Sequence, residues 1–250
     1  MKTEARPSLM MKFTLLVSLF GLFITLLMIA YPPKFSANFS LRKPLIGSIF
    51  ITICAAGTAA ALSPRKCSMW PDTHVPKAAP KQESKIVSSA GSKTHHPNCG
   101  KFSVHTIQFR GNSYCAACSG LAVGASFAVA ISCAYFFLGP SIGALGLLCL
   151  AIGPFGPLVG FIQFMLKGWV RAGANAFFVF GSSLFVIGVD QRMGNFFVDL
   201  YMSGLVVFWI ITRITISQWD HSRICLICKY QCEREKGNAL PSATQSVQGA

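Results

Sequence analysis

Apolar runs and polar intervals alternate along most of the chain, and six of the runs are long enough to cross a bilayer. They are Phe13–Tyr31, Leu45–Leu62, Gly120–Leu138, Gly143–Leu166, Ala174–Val189 and Phe196–Ile214. At about 1.5 Å of rise per residue, about 17 to 25 residues match a hydrocarbon core of about 30 Å, so each run predicts one membrane helix. The fifth is the shortest of the six. The fourth contains Gly153-Pro154-Phe155-Gly156-Pro157 and is expected to kink or break near its middle, because proline lacks a backbone donor and crowds the preceding turn. Gly120–Gly124 and Gly156–Gly160 have the small-x-x-x-small spacing that lets helices approach closely.

Lys2, Arg6 and Lys12 precede the first run, as in a signal peptide. The run exceeds the usual length of such a segment, however, and no small-x-small cleavage site follows at Tyr31-Pro32-Pro33-Lys34, so a retained helix is expected. The polar intervals complete the division. Residues 1–62 form an N-terminal transmembrane hairpin, and 63–94, rich in Pro, Lys, Ser and Ala, a flexible cytoplasmic linker. Residues 95–119 form a small Cys/His knuckle, 120–214 a four-helix transmembrane core, and 215–250 a cytoplasmic tail with a disordered end. Within the knuckle, Phe102 to Phe109 alternates as a short strand and Gly111-Asn112 supplies a turn, which predicts a β-hairpin leading into Cys115. The fold class is therefore all-α: a polytopic transmembrane helical bundle carrying a small cytoplasmic Cys/His knuckle.

Composition strengthens the membrane assignment. Hydrophobic residues make up 52% of the chain and charged residues 12%, about half the charge of an ordinary soluble domain. The formal charge of +14 raises the question of nucleic acid, but the basic residues lie between apolar runs instead of in one patch. That distribution fits contact with anionic lipid and membrane orientation, with the bilayer as partner and no nucleic acid. With the N-terminus cytoplasmic and six spans, eighteen of the 22 Lys and Arg fall on the cytoplasmic side. Only Lys34, Arg42, Lys43 and Arg192 fall opposite, so both termini are expected in the cytoplasm of a plasma-membrane protein.

This orientation puts Cys67, Cys99, Cys115, Cys118, Cys225, Cys228, Cys232 and every histidine in a reducing compartment, which favours metal ligation over disulfides. Cys54, Cys133 and Cys149 lie inside spans and read as packing residues. Zinc takes about four Cys or His ligands in a tetrahedron, and Cys-x2-Cys supplies two from one turn. His96, Cys99, Cys115 and Cys118 fit that pattern within 23 positions, with His95 an alternative to His96. Cys118 also falls at the start of the third helix, where the positive dipole end favours thiolate. A second set, His221, Cys225, Cys228 and Cys232, follows the sixth span and either closes its own site or lends cysteines to the first. Asp199, with Asp190 and Arg192 near a helix junction, could mark an ion pathway, but pairing near the interface is the preferred reading.

The pattern His95-His96-Pro97-x-Cys99-x2-Phe102-x2-His105, then Gly111, then Cys115-x2-Cys118-x-Gly120-x3-Gly124 resembles the hallmark segment of a family of small prokaryotic membrane proteins grouped as a domain of unknown function, with archaeal versions. The resemblance covers roughly residues 95 to 232. Ala117 and Ser119 stand where that family commonly has Arg and Thr. The resemblance implies a polytopic membrane fold and no particular activity.

There is no Walker loop, His-Glu-x-x-His or Gly-x-Ser-x-Gly, so no motif supports an enzyme. The leading expectation is a structural or interaction protein whose zinc knuckle pins a loop to a helix. A transporter or channel component using the broken fourth helix is the alternative, and a membrane thiol oxidoreductase a third.

Overall fold

The computed structural model describes residues 8–32, 39–62, 92–93, 100–139 and 142–238, with side chains of the last stretch described to residue 224. The linker from 63 lies outside the described residues up to Ser92, as does the tail beyond 238. Seven helices follow one another: α1 (Leu9–Ala30), α2 (Arg42–Leu62), α3 (Ala116–Leu138), α4 (Leu145–Ile152), α5 (Phe155–Phe161), α6 (Gly168–Met193) and α7 (Phe196–Asn238). Five of them, α1, α2, α3, α6 and α7, are long and apolar enough to cross a membrane.

The predicted fourth span is two short helices and a closing 3-10 turn, Gln163–Met165, broken where Gly153-Pro154 interrupts the hydrogen-bond ladder. It still runs the length of the bundle. Gly146 meets Gln191, Gly153 meets Phe185, Gly156 meets Gly181 and Gly160 meets Phe178, so α4 and α5 descend antiparallel along α6. The fifth span is longer than the pattern suggested. Its helix starts at Gly168, ahead of Ala174, because Arg171 and Asn175 are polar yet buried at its first turns. The sixth continues past Ile214 to Asn238, taking in the first two-thirds of the expected tail.

α6 is the centre of the bundle, touching α3, α4, α5 and α7, and 72% of its apolar window is buried. It runs parallel to α3, with Gly120 against Ala172 and Gly124 against Ala176, backbone to backbone. α1 lies antiparallel to the far end of the chain. Ser18 and Thr212 share a 2.7 Å hydrogen bond, Thr14 and Thr215 one of 3.3 Å, and Trp209 donates to the Ser18 carbonyl. Phe50, Phe178, Phe185, Met202 and Trp209 fill the interior. The outward faces are apolar too: Phe13, Phe20, Phe127, Leu147 and Trp169 are each more than half exposed.

A three-stranded sheet, β1 (Ser92–Lys93), β2 (Thr106–Phe109) and β3 (Asn112–Cys115), sits at one end of the bundle in the order β1-β3-β2. The expected hairpin is present but begins later. Gly100–His105 is a 3-10 turn instead of strand, and the reversal falls at Arg110-Gly111. Both turn residues have positive φ, 49° and 76°, the geometry that matches the twist of a tight hairpin. β1 joins in parallel, pairing Ser92 with Ser113 and Lys93 with Tyr114.

Candidate functional site

The hairpin delivers Cys115 as the residue before α3, and Cys118 falls in the first turn of that helix. Cys115, the last residue of β3, is buried and Cys118 is half-buried. Ile107, Ala116 and Ala172 form a small apolar core under them, with Tyr114 packed against it. His95, His96 and Cys99 lie outside the described residues. His221 is on α7, and its ring stands 5.6 Å from that of His105. Cys225, Cys228 and Cys232 continue along the same helix, their side chains outside the described residues. From His221 to Cys232 an α-helix rises about 16 Å, so one metal ion could take only neighbouring members of that set from α7. Among the described residues no three His, Cys, Asp or Glu side chains converge on a metal position.

Next to the hairpin lies a buried polar network that no motif announces. Arg171, on the first turn of α6 and 1% exposed, donates to Asp220 of α7 at 3.2 Å and to His105 Nε2 at 3.2 Å. A guanidinium cannot accept, so Nε2 is the acceptor and His105 carries its proton on Nδ1. Arg223 closes on the other oxygen of Asp220 at 3.0 Å. One turn further along α6, the Asn175 side-chain amide donates to the Arg171 carbonyl at 2.7 Å. The Asn175 carbonyl oxygen accepts two hydrogen bonds from Arg213, which also reaches Gln163 at 3.4 Å. His105 thereby ties the hairpin to the bundle, since it ends the 3-10 turn that feeds β2.

The opposite end holds a second network. Arg42, the first residue of α2, bridges Asp190 of α6 and Asp199 of α7, all three at most 4% exposed. Tyr135 donates to Asp190 at 2.5 Å, and Lys43 lies 4.4 Å over the Tyr135 ring. Asp199 therefore pairs with Arg42 across the bundle and not with Arg192, which is exposed on α6. Gly194, at φ 57°, makes the left-handed turn that brings Asp199 back beside Asp190.

Arg213 falls near the end of the sixth apolar run, whereas Arg171 and Asp220 lie outside the fifth and sixth runs and no motif marks them. The signal for those two is length: extending the apolar periodicity of α6 upstream and of α7 downstream puts both inside helices. No protein-family model, curated protein or solved structure matches the chain.

Proposed function

We propose that the chain is a multi-pass plasma-membrane protein, both ends cytoplasmic, with a structural or interaction role centred on a zinc-binding Cys/His module. His96, Cys99, Cys115 and Cys118 hold the metal, and neighbouring cysteines of α7 are the other source of ligands. The apolar outward faces of the five long helices support embedding.

One observation carries the metal reading. Lys93 pairs with Tyr114, so the chain that leads to His96 starts beside the strand that ends in Cys115. From Lys93, His96 has a reach of about 10 Å, and Cys99 immediately precedes the described turn that returns through Thr106, the partner of Cys115. The segment that carries His96 and Cys99 thus leaves from, and returns to, strands paired with the one that ends in Cys115, which supports this ligand set.

The test is metal analysis of the purified protein alongside Cys115→Ser. Zinc near one equivalent, lost in the variant with the helices still folded, is the expected result. Metal-free protein with Cys115 and Cys118 cycling between dithiol and disulfide would overturn it in favour of a thiol oxidoreductase.

Transport is the second reading, favoured by a separate observation. Charged networks seal both ends of the bundle, Arg42–Asp190–Asp199 at one and Arg171–Asp220 at the other, and the Gly153-Pro154 break lies between them. Buried ionisable groups in membrane helices commonly mark pathways. Substrate-dependent flux in proteoliposomes, lost on Pro154→Ala, would support it.

A further inference from the structure

At the Arg171–Asp220 end a cavity of about 200 Å³ opens between the 3-10 turns and the middle of α7. His105, Lys167, Asp220 and Arg223 make its polar wall, and Phe164 and Met165 part of its apolar one. Arg171 stands behind that wall, bonded to both His105 and Asp220. Three cations thus converge with one carboxylate, and both oxygens of that carboxylate are already engaged by Arg171 and Arg223. Outside the cavity lining, Arg171 Nε and Gln163 Nε2 are buried without an acceptor, so no further anionic group offsets the positive charge there. The excess is of donors and positive charge, which selects an anion.

We propose that this cavity binds a phosphate group, either the headgroup of an anionic phospholipid or a soluble phosphate. Lys167 and Arg223 supply charge-assisted hydrogen bonds, and the Asp220 carboxylate in the same wall is neutralised by Arg171 and Arg223, which it holds in place. The volume lies below the range of about 300–1,000 Å³ usual for drug-sized ligands, so the group recognised is small. Trp169 and Val170, more than 60% exposed on the adjoining turn of α6, leave an apolar track beside the opening on which an acyl chain can lie. Basic pockets between membrane helices are a common form of headgroup site. No cysteine takes part, so the outcome is independent of zinc.

Trp219 reports on the cavity, since its ring meets Phe164 at 5.6 Å and lies 5.1 Å from the Arg223 guanidinium. The experiment is 19F NMR of the full chain labelled with 5-fluorotryptophan in neutral detergent. Trp219→Phe assigns the signal, and the titrants are inorganic phosphate, short-chain phosphatidylglycerol and short-chain phosphatidylcholine. A saturable shift of the Trp219 signal with phosphatidylglycerol alone supports the proposal with lipid as the source. Saturation with inorganic phosphate as well supports it with a soluble source. In either case Lys167→Ala and Arg223→Gln, both at partly exposed positions, should weaken binding about tenfold each. An equal response to phosphatidylcholine, no saturable response to any titrant, or undiminished binding in both variants would overturn it.

Discussion

The carbonyl of Ala172 occupies the space that a β-carbon on Gly120 would need. α3 and α6 therefore touch backbone to backbone at the end where the knuckle joins the bundle, and Gly124 repeats the contact against Ala176 one turn on. Helix backbone cannot give way as a flexible side chain can.

Gly120→Ala is accordingly expected to destabilise the protein by about 1–3 kcal/mol, the usual cost of overpacking a close contact. Thermal unfolding of detergent-purified protein measures it. Gly57→Ala is the control, because nothing lies within 4 Å of a β-carbon there. A helical alanine in open space should be neutral or slightly stabilising. Equal losses at the two positions would refute the close-crossing account.

Arg42→Gln should cost more. It leaves Asp190 and Asp199 facing one another in a buried site, and breaking a buried pair from one side costs about 3–5 kcal/mol. Adding Asp199→Asn removes one of the two stranded charges and should recover part of the loss. If the double variant is no more stable than the single, the two carboxylates do not depend on Arg42 in the way the geometry implies.

The contrast between these two sites explains what the sequence disclosed. Gly120-x3-Gly124 and the Gly153-Pro154 break are local signals, written within one turn of helix, and both operate where their spacing suggested. Arg42 and Asp190 are 148 residues apart, and Arg171 and Asp220 are 49 apart. No spacing rule joins such partners; only the packing of α6 among its neighbours does. α6 was underread for the same reason. A helix at the middle of a bundle is surrounded by its neighbours, so it can carry Arg171, Asn175 and Asp190 without losing its place. The hairpin was legible from its glycine turn, while the 3-10 segment before it has no comparable marker.

Topology supplies a third prediction. Antiparallel packing of α1 on α7, and of α4 and α5 on α6, places residues near 9 and near 220 at the same end of the bundle. With six spans, eighteen of the 22 basic residues are expected on that end's side, which predicts that it faces the cytoplasm. Single cysteines introduced at Ser36, Pro80 and Gln245 in a cysteine-less background should react with an impermeant maleimide from outside intact cells only at Ser36→Cys. External labelling of Pro80→Cys or Gln245→Cys would invert the orientation and remove the reducing-compartment basis for the metal.

The last prediction separates the Arg171–Asp220 network from the proposed metal as anchors of the hairpin. Asp220→Asn keeps the side-chain shape but strips Arg171 of its carboxylate, leaving a guanidinium that is 1% exposed. An uncompensated buried charge costs about 3–5 kcal/mol, and the strain falls first on the contact with His105. Amide exchange should therefore accelerate through residues 103–109 and the first turns of α6. The Asp190–Asp199 end, about 28 Å along the helix from Arg171, should stay protected. If zinc is bound as proposed, chelation should loosen the Cys115–Cys118 corner while the Arg171 turn keeps its protection. His105→Ala should reproduce the Asp220→Asn pattern around β2 without changing the metal content. Uniform acceleration along all helices in Asp220→Asn would mean that the network stabilises the bundle as a whole and does not serve to dock the knuckle.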